Sequence, residues 1–262
     1  MKALLFSGIR SVHRAVALGP LPDRLAIYFH DLEAPHWPAF QAAIEWLKAA
    51  DYKPVDPLAF VNGSHECKRL FISFDDSFAS WHRALPLFGA LGIKATFYVN
   101  TLPFDAAFGT ERDRYFDRLA HKGERQALSA EMLRDIHSDG HTIGCHSHSH
   151  FSLASLPRAQ WDSEIRRSKD ILEDLTGAPI VHFSFPYGMR RFFSSALRDY
   201  CRDIGFETIA TGIPGMQTAD TGDRFAIHRT GWLLDRPIDH NLDDLRIDGR
   251  LFERVTGRSA IG

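Results

Sequence analysis

The stretch His146-Ser147-His148-Ser149-His150 sets three histidines at alternate positions, and earlier in the chain an apolar run, Phe71-Ile72-Ser73-Phe74, ends in two adjacent carboxylates, Asp75 and Asp76. Carboxylates next to buried positions are costly unless they are paired or bind a metal. Neighbouring residues at a strand end point in different directions, so one carboxylate can hold a metal while the other faces a substrate. One Asp and two His form a three-ligand set with coordination positions left open, the pattern of a catalytic rather than a structural metal. Taken separately, Asp75-Asp76 reads equally well as a helix N-cap and residues 146–150 as a solvated loop; their co-occurrence favours chemistry. Further polar candidates are His30, the Phe185-Pro186-Tyr187-Gly188 turn, and the pair His228-Arg229.

These residues need a scaffold, and the surrounding pattern supplies one. Leu25 to His30, Arg69 to Phe74 and Lys94 to Val99 are apolar, β-branched or aromatic runs and read as strands. The segments "HTIGC", "IVHFSF", "FETIAT" and "RFAIHRT" read likewise. Helices are expected from Trp37 to Ala50, from Ala79 to Leu91, from Ser129 (as cap) to Ser138, from Pro157 to Leu175, and over "FFSSALRDYCRDIG". Residues 101–128 are polar, aromatic and irregular, which suggests an inserted lid or substrate loop. Strand and helix alternate about seven times, which argues for an α/β fold with a parallel sheet, of a size that suits a (β/α) barrel. Such barrels place their chemistry at the C-terminal ends of strands, and every candidate named above falls there.

Composition narrows the function classes. The chain has 262 residues, 44% hydrophobic and 24% charged, with a net charge of -2. That balance is ordinary for a globular protein and argues against nucleic acid as the partner, which calls for a basic surface. Three widely spaced cysteines, Cys67, Cys145 and Cys201, are not a disulfide framework and fit a reducing compartment. The opening residues lack the long apolar core and cleavage site of a signal peptide, and no segment has the length of a transmembrane helix. A cytoplasmic location is therefore expected. Residues 1–24 are read as an N-terminal segment, with a helix docked on the domain favoured over one lying on a membrane; residues 25–262 are read as a single catalytic domain. The oligomeric state is not legible.

With the motifs in place, the chain resembles the polysaccharide deacetylase family, carbohydrate esterase family 4. "FISFDDS" resembles the family's first motif, in which Phe-Asp-Asp is usually followed by Gly where Ser77 stands here; "GHTIGCHSHSHFSL" resembles the second and "FSFPYG" the third. The spacers "PLFGALGIKATFYV" and "EIRRSKDILEDLTG" fit as well, and the likeness runs from about Leu25 to Arg229. The resemblance implies a distorted (β/α)7 barrel, one divalent metal ion per chain (Zn2+, or another first-row metal) held by Asp76, His146 and His150, and Asp75 as catalytic base. His148 falls at a variable position and is not expected to be a ligand.

Two departures from the family pattern matter. The family's third motif often carries an Arg that orients the base, and Ser184 occupies that position; Arg229 is the candidate replacement. The usual C-terminal Leu-x-His motif, source of the general acid, has no good match, whereas "IYFHD" resembles the Tyr-His motif of a circularly permuted subgroup. That resemblance makes His30 the expected acid, with His228 as competitor and Asp31 or Glu33 as orienting groups. The backbone N–H of Tyr187 is expected in the oxyanion hole, and Trp37, Phe104, Phe108 and Tyr187 are candidate sugar-stacking aromatics. The implied reaction is removal of an N-acetyl group from an amino sugar, with an N-acetylated sugar, nucleotide sugar or lipid-linked glycan of surface polysaccharide or O-antigen assembly as partner. Two alternatives are a metal- and sugar-binding protein that has lost turnover, and a metal phosphoesterase, for which too few bridging carboxylates are evident.

Overall fold

A computed structural model describes residues 21–63, 67–215 and 223–246. The proposed docked helix within residues 1–24 lies almost wholly outside them. Strand β1 (Arg24–Phe29) is followed by helix α1 (Trp37–Ala49), the two-residue β2 (Lys53–Pro54) and α2 (Pro57–Asn62). Then come β3 (Arg69–Asp75), α3 (Ser80–Arg83), α4 (Leu85–Leu91), β4 (Thr96–Val99), α5 (Phe108–Arg118), α6 (Ala130–Ser138) and β5 (Thr142–Cys145). The chain continues through α7 (Arg167–Thr176), β6 (His182–Ser184), α8 (Ser195–Asp203), β7 (Thr208–Ala210), β8 (Thr230–Gly231) and α9 (Ile238–Leu245).

The strands form one parallel sheet in the order β7-β6-β5-β4-β3-β1-β8, with β2 also paired to β3. It curls into a half-barrel, the distorted (β/α)7 architecture expected of the sequence. All seven residues of β3 are buried, as befits a central parallel strand covered on both faces. Outside it, Phe74 stacks between Phe29 and Phe97, with Trp81 and Phe88 against the same rings. This aromatic packing anchors the strands whose ends carry the chemistry.

Local signals account for most element ends. Ser129 accepts a hydrogen bond from Met132 N at the start of α6, and Gly177 ends α7 in the left-handed conformation at φ 66°. Four segments differ from expectation. The helix expected over 79–91 is split at Ala84, because Pro86 cannot supply the N–H that a continuous helix needs. The helix expected over 157–175 begins with a 3-10 turn and a π-helical turn at Asp162–Arg166 before α7. Residues 101–128 are not irregular throughout: they contain α5, of which Tyr115 and Phe116 are buried, too few apolar positions to announce a helix. "RFAIHRT" is not one strand. Ile227 bridges Ala210 of β7, while Thr230–Gly231 pair with β1. Having to change partner across the barrel opening, the segment makes a single bridge to β7 and a two-residue ladder with β1.

Candidate active site

The C-terminal ends of β1, β3, β5 and β6 open onto one cleft, lined by Tyr28, His30, Asp75, Asp76, His146, His150 and Tyr187 among others. At the end of β3 the backbone turns through Asp76 (φ 88°) and Ser77 (φ 60°), a region that disfavours residues with a side chain. The turn is held by its neighbours. Ser77 Oγ donates to Asn100 O and accepts from Asn100 N, Leu128 N donates to Ser77 O, and Tyr115 Oη donates to Asp76 O at 2.7 Å. The left-handed φ at Ser77 is a physical reason for glycine to be common there; here hydrogen bonds offset the strain.

The histidine loop after β5 is pinned in the same way. Asn100 Nδ2 donates to His146 O, Leu102 N to His148 O, and the buried Glu164 accepts from both Ser149 N (3.0 Å) and Ser149 Oγ. Ser147 and His150 both have positive φ. His146 Nδ1 lies 2.6 Å from Ser184 O. A carbonyl can only accept, so Nδ1 carries the proton and Nε2 keeps its lone pair.

That lone pair faces Asp76. Asp76 Oδ1 lies 3.2 Å from His146 Nε2 and 3.1 Å from His150 Nε2, and all three side chains are buried. Asp76 Oδ1 has no hydrogen-bond donor despite its burial. Burial alone would raise the Asp76 pKa, yet the charge of His150 and the contacts with His146 and His150 hold it well below the usual carboxylate range. Burial opposes protonation of His146, but Asp75, Asp76 and the Ser184 carbonyl raise its pKa; at His150 burial prevails and lowers it. One buried anionic oxygen between two imidazole nitrogens is a donor set that would suit a borderline divalent cation, and the three atoms are close enough to be shared by one ion.

Asp75 is engaged differently. Arg229, 1% exposed, clamps it with two 2.8 Å hydrogen bonds, NH1 to Oδ1 and NH2 to Oδ2. The same guanidinium donates to Ser73 Oγ, Ser184 Oγ and Thr211 O and sits 5.0 Å from the ring centroids of both Tyr28 and Tyr98. The contact with Ser184 matters, because the cation absent from position 184 is supplied to that place by another strand end.

His30 follows β1, with its side chain 53% exposed and Nε2 3.7 Å from Asp76 Oδ2. His228 is not among the residues lining the cleft; it is buried, with Nδ1 3.1 Å from Thr211 Oγ1. Consecutive residues of an extended segment face opposite ways, and Arg229 rather than His228 takes the place beside Asp75. Among the described residues, neither Asp31 nor Glu33 forms a hydrogen bond or ion pair with the His30 ring, whose ion-pair partner is Asp76. Asp31 accepts from Ser80 Oγ and lies near His121, and Glu33 accepts from Glu124 N. Of the proposed stacking aromatics, Trp37, Phe104 and Phe108 pack on the core. Tyr187, 42% exposed, does line the cleft, its ring 4.8 Å from that of His150. Its backbone has φ 66°, and its N–H has no acceptor among the described residues. A Cβ on the following Gly188 would come within 2.4 Å of Gly212 N, so the loops after β6 and β7 touch only because glycine stands there.

Sequence reasoning missed Tyr28 and Arg118 as cleft residues. Tyr28 shares a strand face with His30 two residues on, a signal that was present. Arg118 ends α5, and nothing local marks it.

The polysaccharide deacetylase family matches residues 62–209, a span that holds Asp75, Asp76, His146, His150 and Tyr187 but neither His30 nor Arg229. YxkH of Bacillus subtilis (strain 168), whose name describes a polysaccharide deacetylase, is 23% identical over 196 residues, covering 72% of this chain and 62% of that protein. The chain thus spans under two thirds of that relative's length. Among solved structures, the Streptococcus pyogenes deacetylase PplD in complex with acetate superposes with a TM-score of 0.67 at 17% identity, over 86% of this chain and 99% of that one. IcaB from Ammonifex degensii gives 0.67 at 18% identity, over 87% and 98%. These two likenesses speak to the fold.

Proposed function

Because this chain belongs to the polysaccharide deacetylase family, we propose that it hydrolyses the N-acetyl group of an amino sugar with the aid of one divalent ion. The observation that carries this reading is the buried Asp76–His146–His150 cluster beside a carboxylate, Asp75, clamped by Arg229.

Asp76, His146 and His150 would hold the ion, Zn2+ being the expected one. The unpartnered Asp76 Oδ1 and the bare His146 Nε2 support that fit. When bound, it supplies Lewis-acid polarisation of the acetyl carbonyl and a more acidic water. Asp75 takes the water's proton; the Arg229 clamp holds it aimed. The free N–H of Tyr187 donates to the oxygen that gains charge as water adds to the carbonyl. His30, at the mouth of the cleft, delivers a proton to the amine, which otherwise leaves poorly. Its place in the cleft supports this role over His228.

An N-acetylated nucleotide sugar or lipid-linked glycan of surface polysaccharide or O-antigen assembly is the proposed substrate, a reading supported by three widely spaced cysteines that fit a reducing compartment. No helix among the described residues is long and apolar enough to cross a membrane. Arg229 beside Ser184 supports turnover over the reading as a sugar-binding protein that has lost it, because the cation missing from the third motif is supplied there. The test is acetate release from a panel of N-acetylated sugar nucleotides, lipid-linked glycans and polymeric glycans, with Asp75→Asn as control. The variant should keep its metal and lose roughly 10²- to 10⁴-fold in turnover. Unchanged release by Asp75→Asn removes Asp75 from the mechanism.

A further inference from the structure

A second cluster of metal-ligating side chains lies outside the deacetylase centre. Asp31 and Glu33 follow β1, and His121 follows α5 after a sharp turn at Ala120 (φ 51°). One ligand atom from each falls within 4.8 Å of the others. His121 is fixed by its surroundings, its ring 4.4 Å from that of Phe78. Its Nε2 is buried, makes no hydrogen bond, and lies 3.4 Å from Asp31 Oδ2. Each carboxylate has one oxygen engaged, Asp31 Oδ1 by Ser80 Oγ and Glu33 Oε1 by Glu124 N. No Lys or Arg among the described residues pairs with either acid. The one basic side chain set against the two carboxylates is His121 itself, beside Asp31, so a divalent cation held by all three would offset more of their charge than a single imidazole can.

A space for that cation exists. A Cβ on Gly123 would stand 2.7 Å from Glu33 Oε1 and 2.7 Å from His121 Nε2. Gly123 therefore leaves open a point that both donors border. The cluster also lines a cavity shared with His30 and Asp76, so an ion has a route in and keeps coordination positions facing that cavity. We propose that Asp31, Glu33 and His121 form a second divalent-cation site, separate from the deacetylase centre, suited to a borderline ion that accepts two carboxylate oxygens and one imidazole nitrogen, such as Zn2+ or Mn2+.

The test uses the full chain, stripped with chelator, reloaded with Zn2+, desalted, and assayed by elemental analysis. Wild type should hold two zinc ions per chain. His121→Ala and Gly123→Ala should each hold one, the latter keeping all three donors while filling the space between two of them. Asp76→Asn should also hold one. Matching thermal melts establish that the variants are folded, and Gly123→Ala decides the matter if His121→Ala does not fold. One zinc in wild type, lost in Asp76→Asn, overturns this inference and leaves the deacetylase reading intact. Two zinc ions retained in both His121→Ala and Gly123→Ala also overturns it. A single zinc that survives Asp76→Asn but disappears in Gly123→Ala upholds this site and refutes the metal centre of the deacetylase reading.

Discussion

Replacing Arg229 by Gln should be among the most damaging single changes in this protein, and the structure says by how much. Arg229 makes five hydrogen bonds, two of them to Asp75, and Asp75 is itself only 5% exposed. Removing one partner of a buried ion pair costs about 3–5 kcal/mol, because the remaining charge is left without compensation. At roughly 2–4 °C per kcal/mol for a protein of this size, the melting temperature should fall by about 6–20 °C. Arg229→Lys should be intermediate, since an ammonium retains the charge but not the two-pronged contact. The double variant Arg229→Met with Asp75→Leu removes both charges and should recover most of the lost stability while remaining inactive. The assay is thermal unfolding of these proteins together with the single variants Arg229→Met and Asp75→Leu, which close a double-mutant cycle. A melting temperature for Arg229→Gln within about 2 °C of wild type, or a double variant no more stable than the single one, would refute the argument that this pair is buried and mutually compensating.

Three further outcomes are expected. His146→Ala should lose the ion of the deacetylase centre, while His148→Ala, whose ring bonds Thr101 and Asp105 away from the cleft, should keep it; elemental analysis reads both. His30→Ala should lose turnover on acetamide substrates far more than on activated esters, which leave without a proton, and His228→Ala should show no such split; the reverse pattern in a two-substrate assay moves the acid to His228. His182 is buried beside Thr208, and burial lowers its pKa to about 4. The folded state thus favours the neutral ring, so its contribution is intact above the unfolded pKa of about 6.5 and is lost as pH falls towards 4, by on the order of 2–3 kcal/mol. Urea unfolding at pH 7, 5 and 4 should show a shallower decline for His182→Gln than for wild type.

Much of the scaffold was legible because parallel strands are written locally. A strand such as β3, buried on both faces, must be a continuous apolar run, and a carboxylate pair at its end stands out against that run. The alternation of strand and helix, the cap at Ser129 and the stop at Gly177 are likewise short-range signals. Asp75, Asp76 and the histidine loop announced themselves by residue type and spacing, and the family likeness assigned their expected roles. What only the tertiary structure decided was which distant groups meet. Arg229 reaches Ser184 and Asp75 across a barrel opening, and no local pattern distinguishes it from its neighbour His228, which bonds Thr211 instead. Asn100 and Glu164 brace the histidine loop from other elements, and Asp31 lies against His121 while Glu33 caps Glu124 N. These pairings depend on how far the sheet curls and how loops from separate strands approach, which is a property of packing between segments remote in the chain and is not encoded in any one of them.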